Sequence, residues 1–315
     1  MKYIYGPVPS RRLGASLGID IAPYKTCSFD CIYCQLGRTT HLCRTPMPLI
    51  NSADAMRELE EWLDRGQRAD YITFAGSGEP TLNSDLGVMI DEAKRLTNIP
   101  VAVITNGSLF SDPSVRDSVI KADLLVPSLD AGCQATFDRI NRPRQGMQFR
   151  EIVQGLIDTS SAFHNELWLE VMLVKGVNDS DAELSLMRDI IAEICPDRVQ
   201  INTVDRPSNS GKAEPVSKAR LDEARRTLYS DCEIVLHTPS PPASGLYHAR
   251  EEDLLNLLRR RPCKIDDICT TLGLHAHETS KMLRSLSGKQ LITYADDLAD
   301  PFYQAVPYDR EQHDV

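Results

Sequence analysis

No stretch of this 315-residue sequence is apolar for long enough to cross a bilayer; runs such as 99–104 and 124–126 fall far short of the ~18–20 residues a spanning helix needs. Residues 1–6 also lack the long apolar stretch of a secretion signal, so the expected compartment is the cytoplasm, with no membrane partner. Positive charge is not in excess. Thirty-five Lys and Arg against 45 Asp and Glu leave a net charge of −10, which excludes long-range attraction of the whole molecule to phosphate backbones and leaves room only for a local basic face. Nine cysteines are too few for a disulfide-framed scaffold of this length, and odd in number. In a cytosolic chain such thiols serve as metal ligands, nucleophiles or small apolar filler, and spacing has to decide among them. Internal repeats and low-complexity tracts are absent. What is present is 42% hydrophobic residues, enough for one large domain and a smaller one.

The first two-thirds of the chain alternates short β-branched runs with amphipathic stretches, the pattern of strand–helix units around a parallel sheet. Strands are expected at 16–21, 71–75, 101–105, 124–128, 167–174 and 199–203. Ser52 is expected to cap a helix with Met56, Leu59 and Leu63 on one face and Gly66 just past its end; Ser84 is expected to cap the next, with a stripe of Leu86, Met89, Ile90 and Ala93. Later stripes are Ile152/Val153/Leu156/Ile157 and Leu184/Met187/Ile190/Ile191/Ile194. Six units in about 190 residues suit a (β/α)6 partial TIM barrel, with an open doubly wound sheet as the alternative; either gathers ligands beyond the carboxyl ends of its strands.

After Arg206 the composition turns to Pro, Ser, Asn and Gly, followed by a helix at 221–228 and a short strand at 233–236. Three prolines in 238–245 mark a linker. The expected domains are therefore 1–237, with a core at 16–205 and a C-terminal extension, a linker at 238–249, and a second domain at 250–310. In that domain helical patterns at 250–260, 265–272 and 275–287, then a hairpin running from 290–294 past an acidic turn to 301–303, predict a winged-helix module. On its third helix His275, His277, Lys281 and Arg284 outnumber Glu278, but Asp266, Asp267, Asp296, Asp297 and Asp300 offset most of that bias, so nucleic acid and protein are equally suited partners.

The most informative residues are Cys27-Ser28-Phe29-Asp30-Cys31-Ile32-Tyr33-Cys34, a C-x3-C-x2-C spacing directly after the first expected strand. Three thiolates in eight residues wrap one corner of a compact metal site. Structural zinc and ferredoxin-type clusters both use four protein ligands, so a triplet implies a distant fourth ligand or an open coordination position. A zinc knuckle closed by His41 or Cys43 is one reading; an iron–sulfur cluster with a reactive corner is the other. The remaining Cys43, Cys133, Cys195, Cys232, Cys263 and Cys269 contain no C-x2-C pair, which disfavours a second cluster.

With an aromatic residue just before its last cysteine, the triplet resembles the radical S-adenosylmethionine (SAM) superfamily. The wider opening, from Gly6-Pro7-Val8-Pro9-Ser10-Arg11-Arg12-Leu13-Gly14 through Lys25-Thr26-Cys27 to Gln35-Leu36-Gly37, is similar to stand-alone Fe–S oxidoreductases grouped with the wyosine (tRNA imidazoguanosine) synthases. The likeness covers about residues 1–205. It implies that Cys27, Cys31 and Cys34 hold three irons of a [4Fe–4S] cluster, that SAM chelates the fourth iron, and that the reduced cluster cleaves SAM to methionine and a 5′-deoxyadenosyl radical. Thiolate ligation and an exchangeable iron are consistent with that chemistry.

The same resemblance assigns further residues. Tyr33 takes the aromatic position near the adenine, or packs beneath the loop. Gly76-Ser77-Gly78-Glu79-Pro80 resembles the GGEP motif, with Ser77 in place of a glycine; its carbonyls, and Glu79 nearby, are expected to accept from the SAM ammonium. Asn106, Ser128, Asp130 and Glu170, with 175–179, resemble segments that contact ribose, the methionine carboxylate or substrate. Gln200, Asn202 and Asp205 are further candidates, and Arg11, Arg12 and Lys25 form a cationic rim. No general base is expected, because the hard chemistry belongs to the cofactor. The expected function is a radical SAM enzyme, reduced by a flavodoxin or ferredoxin, that abstracts hydrogen from a substrate such as tRNA or another RNA; the alternatives are radical modification or activation of a peptide or protein partner, and, in another class, an iron–sulfur redox-sensing DNA-binding regulator.

Overall fold

The computed structural model describes residues 1–10, 12–206, 208, 213–229, 232–235, 251–294 and 301–306. The chain forms two compact units, Met1–His237 and Thr238–Val315. In chain order the first unit contains β1 (Ile4–Ser10), β2 (Gly14–Ile19), β3 (Thr26–Cys27), β4 (His41–Leu42), α1 (Ser52–Asp64), β5 (Tyr71–Phe74), a 3-10 turn (Pro80–Leu82), α2 (Leu86–Leu96), β6 (Val101–Thr105), α3 (Pro113–Val119), β7 (Leu124–Pro127), α4 (Gln134–Ile140), α5 (Phe149–Ala162), β8 (Glu166–Leu173), α6 (Asp181–Ile194), β9 (Arg198–Thr203), α7 (Lys218–Leu228) and β10 (Cys232–Ile234). Eight of these strands form one sheet in the order β1-β2-β5-β6-β7-β8-β9-β10. All neighbours are parallel except β1 and β2. Parallel neighbours require a crossover, and every gap from β2 to β10 contains at least one helix.

Side chains alternate between the two faces of each strand. Leu17, Ile19, Ile72, Phe74, Val103, Leu125, Leu169, Val171 and Ile201 point to the helices and join their stripes in one buried cluster. Leu59 and Trp62 of α1 lie in it at 0% and 2% exposure, so truncating either to Ala costs about 3–5 kcal/mol. The opposite face changes character along the strands. Near the strand starts Ala102, Leu124, Val126 and Trp168 form a small apolar cluster with Leu13; the same registers end in Ser128, Glu170, Gln200 and Asn202. This gradient places polar groups at the carboxyl ends.

The sheet differs from expectation at its edges. It has eight strands: β1 is added at one edge, and the short strand expected at 233–236 joins the other edge as β10, Cys232–Ile234. Pro7 and Pro9 argue against a central strand, but β1 is an edge strand, where a missing N–H costs nothing, and its register shifts between Tyr5 and Val8. Two caps also move. Asn51 caps α1, its side chain accepting from Asp54 N, while Ser52 is the first helical residue and donates to Asp85 at 3.0 Å. Asp85 rather than Ser84 precedes α2. Helices α3 and α4 are short; α3 starts at Pro113 behind an Asp112 cap.

The second unit holds α8 (Glu251–Arg260), α9 (Ile265–Leu272) and α10 (Ala276–Gly288), then β11 (Ile292–Thr293) antiparallel to β12 (Gln304–Ala305). Its core is Leu254, Leu257, Leu258, Ile268, Leu283 and Leu286. Gly273 ends α9 with φ +63°, the left-handed turn that favours glycine. The expected linker, the acidic turn at 295–300, Arg11 and Leu236 lie outside the described residues.

Candidate functional site

The cysteine loop leaves β3 beyond the sheet and is fastened from outside. Asp30 N donates to Asn141 O, Ile32 N to Ile140 O and Arg144 N to Ser28 O, all at 2.9–3.0 Å, so the C-terminus of α4 supports the loop between Cys27 and Cys31. Phe29 is 4% exposed and meets Phe137 edge-on at 5.3 Å. On the inner side the loop meets the Gly-rich turn: Lys25 N donates to Ser77 O at 2.8 Å and Glu79 N to Thr26 O at 3.0 Å.

Each cysteine sulfur faces one nitrogen donor from a different part of the chain. Asn106 Nδ2 lies 3.5 Å from Cys27, Asn141 Nδ2 lies 3.5 Å from Cys31, and Lys25 Nζ lies 3.1 Å from Cys34. Phe29 N adds a backbone donor to Cys27. Burial first, then the neighbouring charge of Glu79, pushes the Cys27 thiol up to about 12; burial and then Cys27 raise Cys31 as well. The Cys27 and Cys31 thiols therefore stay protonated unless a cation joins them, whereas the amides beside them are arranged for thiolates. That combination fits three ligands of an iron–sulfur cluster, whose potential depends on hydrogen bonds to its sulfurs. Among the described residues no three His, Cys, Asp or Glu side chains gather as a single-ion site.

The Gly-rich turn is shaped by close approach. A Cβ on Gly78 would lie 2.2 Å from Thr26 O and 2.8 Å from Ala22 Cβ, and one on Gly76 would meet Asp20 at 2.3 Å. Ser77 is 7% exposed; its N–H and Oγ both donate to Asp20. Glu79, 3% exposed, accepts from Thr81 N, Thr81 Oγ1 and Thr105 Oγ1 at Oε1 and from Asn106 N at Oε2, 2.5–3.0 Å in each case. Both oxygens of its carboxylate are thus bonded to the chain, three donors at Oε1 and one at Oε2. The residue ties the turn to the end of β6, and burial raises its pKa despite these four donors. Asn106 then reaches back to Ser28 Oγ at 2.9 Å as well as to Cys27.

Asp130 is a second buried hub, at 4% exposure. Oδ2 accepts from Tyr33 Oη at 2.5 Å and Asn141 Nδ2 at 2.8 Å; Oδ1 accepts from Met172 N at 2.9 Å. Burial pushes its pKa up to about 6. Asn178, wholly buried, holds the backbones together by donating to Asp130 O and Met172 O and accepting from Val174 N. Glu170 lies on the polar end of the face, 2.9 Å from Arg12 Nη1, and also accepts from Asn202. Asn202 and Gln200 are 3% and 2% exposed; both turn their amide nitrogens to carboxylates, and among the described residues Asn202 Oδ1 and Gln200 Oε1 have no partner. Half-buried Ser128 bridges to Glu170 through the backbone.

The structure thus brings Cys27, Cys31, Cys34, Tyr33, Glu79, Asn106 and Asp130 into one bonded network, with Gly76, Ser77 and Gly78 against it. Lys25, read as part of a cationic rim, is 4% exposed and points to a sulfur rather than to solvent. Lys175 pairs with Glu214 on the surface, and Asp205 lies 3.9 Å from Arg206. Asn178, within the 175–179 segment expected to contact a ligand, spends its side chain on the backbone instead, and Asn141 is a residue that the sequence reading does not reach. Asn141 lies 110 residues beyond Cys31, and nothing in its local pattern marks it.

Comparison with known proteins agrees with this geometry. The profile described as "Radical SAM superfamily" matches residues 21–187. A protein named "GTPase Obg" from Brachyspira hyodysenteriae is 42% identical over 91% of this chain, which spans only 43% of that protein. A UPF0026 protein from Helicobacter pylori is 32% identical over 91% of this chain and 93% of its own length. A radical SAM methyltransferase from Sphaerobacter thermophilus shares the fold, with TM-score 0.52 and 15% identity over 70% of this chain and 65% of that one. This chain belongs to the radical SAM superfamily, in its UPF0026 group, and is an enzyme that works with SAM and a [4Fe–4S] cluster.

Proposed function

We propose that Cys27, Cys31 and Cys34 carry the cluster and that the chain uses it to abstract hydrogen from a substrate held over the strand ends. The observation that carries this reading is the nitrogen donor facing each sulfur. When bound, the cluster and SAM supply one-electron cleavage of a sulfonium, leaving methionine and a 5′-deoxyadenosyl radical. The chain's own residues hold and shield. In our reading the carbonyls of the Gly76-Ser77-Gly78 turn, with Ser128 and Glu170, meet SAM. Glu79, Asn106, Asp130 and Tyr33 position the turn and the cysteine loop, because their polar groups are already bonded to the chain. Arg12, Gln200 and Asn202 face the substrate.

We read the sheet as a (β/α)6 partial barrel extended by β1 and β10, and the second unit as a winged helix. On α10, His275, His277, Lys281 and Arg284 are exposed, with Glu278 as the one exposed acid of that set. This basic side supports RNA as the substrate, in line with the wyosine-synthase-like opening. A flavodoxin or ferredoxin is the inferred electron donor and the cytoplasm the inferred compartment. Among the described residues no helix is long and apolar enough to cross a membrane.

The test is anaerobic reconstitution followed by dithionite and SAM. Wild type should release 5′-deoxyadenosine and methionine in equal amounts, and Cys27→Ala, Cys31→Ala and Cys34→Ala should release neither. An iron-loaded wild type that leaves SAM intact would overturn the reading. Anaerobic capture from extract then decides the substrate: enrichment of RNA supports our choice, and enrichment of a protein instead refutes it.

A further inference from the structure

We propose that Lys25 is a positioning residue that sets the reduction potential of the cluster, its ammonium holding a fixed positive charge against the sulfur of Cys34. The inference rests on the assignment of Cys34 as a cluster ligand. Of the three side-chain donors to sulfur, those from Asn106 and Asn141 are neutral amides at 3.5 Å, and the third is a cation at 3.1 Å. Lys25 is 4% exposed. Lysine is almost never buried to that degree without an anionic partner. Among the described residues no carboxylate forms an ion pair with it, so the partner of this charge is the Cys34 sulfur.

The backbone supports the same conclusion. Lys25 has φ +56°, the left-handed region, which costs a residue with a Cβ about 1–2 kcal/mol. Lys25 N donating to Ser77 O and His41 N donating to Lys25 O hold it there. Glycine would occupy this position without strain. A lysine there gains nothing for the turn; what it adds is an ammonium delivered to one sulfur.

The electrostatics fix the direction. Reduction by dithionite adds one electron to the cluster and no proton, so the negative charge beside Lys25 grows. A cation next to a ligating sulfur and screened from water stabilises the reduced form more than the oxidised one, and raises the potential. Neutralising it should make reduction harder.

The experiment is a potentiometric titration of the reconstituted full-length protein, without SAM, read by the electron paramagnetic resonance signal of the reduced cluster. At the potential where half of the wild-type cluster is reduced, Lys25→Gln should lower the reduced-to-oxidised ratio about tenfold, equivalent to ~59 mV for a one-electron couple. Lys25→Arg keeps the charge and should stay within about threefold. Lys25→Gly removes the charge while relaxing the backbone, and should shift like Lys25→Gln, which separates the electrostatic effect from misfolding. Wild-type midpoints in both neutral variants overturn the proposal. So does an unchanged midpoint accompanied by weaker SAM binding in calorimetry, which would assign the ammonium to the SAM carboxylate. A wild type that forms no [4Fe–4S] signal refutes the ligand assignment itself, an outcome distinct from unchanged variants.

Discussion

Gly78→Ala tests whether the site depends on two loops in direct contact. The added Cβ would lie 2.2 Å from Thr26 O and 2.8 Å from Ala22 Cβ, where ordinary contact begins at 3.4 Å. The loops must therefore part by 3.4 − 2.2 = 1.2 Å at that oxygen. The Glu79 N to Thr26 O bond, 3.0 Å long, would open past hydrogen-bonding range, and the neighbouring Lys25 N to Ser77 O bond, 2.8 Å, would be stretched with it. Leaving one or two buried backbone groups without partners costs about 1–3 kcal/mol each, so the variant should lose roughly 2–4 kcal/mol of stability. Guanidinium unfolding of the metal-free protein measures that loss, and iron content after anaerobic reconstitution should fall with it. Gly288→Ala is the control: nothing lies within 4 Å of its would-be Cβ, and at the end of α10 alanine should be neutral or stabilise by up to ~1 kcal/mol. If Gly78→Ala unfolds at the wild-type midpoint and binds iron fully, the packing argument is wrong.

Asp130 offers a pH test. Its pKa rises from 3.8 to about 6 on folding, so between those values the folded state keeps a proton that the unfolded chain has released; stability falls as pH rises through this window, by about 3 kcal/mol in total, and levels off above it. Asp130→Asn should abolish that component in urea titrations from pH 4 to 7, while itself losing about 1–3 kcal/mol because three donors then face one acceptor; an unchanged slope would show that another group titrates. Arg12→Met removes the cation paired with Glu170, both side chains being 16% exposed, and should cost roughly 1–3 kcal/mol by thermal unfolding. Adding Glu170→Gln should recover part of that loss, and strict additivity of the two would contradict a direct pair. Asn141→Ala removes the donors to Cys31 and Asp130 together, so reconstituted iron should become more labile to chelator than in wild type.

Sequence pattern reached the repeating core because hydrophobic period is a local signal: the stripe Leu86, Met89, Ile90 and Ala93 is buried as read, and strand 101–105 matches to the residue. It was blind where the signal is topological. Prolines 7 and 9 argue against a strand until the strand is known to lie at an edge, and α3 and α4, seven residues each, are too short to display a period. At the site, the triplet and Gly-rich turn were legible because their chemistry depends on spacing within a few residues. The polar partners were not. Glu79 reads as a ligand-facing acid from its motif, but two of its four donors, Thr105 and Asn106 at the end of β6, are visible only once β5 and β6 are neighbours. Lys25 reads as one more surface base, because a single positive φ leaves no trace in composition.

The origin of the three sulfur donors bears on how the site is held. Lys25 lies on the loop itself, whereas Asn106 and Asn141 come from 79 and 110 residues further along the chain. No short peptide spanning 27–34 can therefore reproduce the environment, which forms only when β6 and α4 have docked. The fold carries a local conflict as a result: the Asn106 and Asn141 amides converge on Cys27 and Cys31, two thiols that burial keeps neutral. Such local conflict persists where function requires it, and the apolar packing of β5 to β9 on their helices offsets it. Thiolates bound to iron would turn the two amide contacts from neutral to charge-assisted, so the same groups favour the cluster-bound form. The asymmetry explains why Asn106 and Asn141 are placed by the ends of β6 and α4. Were they on freely moving segments, the conflict would relax by local rearrangement before a cluster arrived, and the preorganisation would be lost.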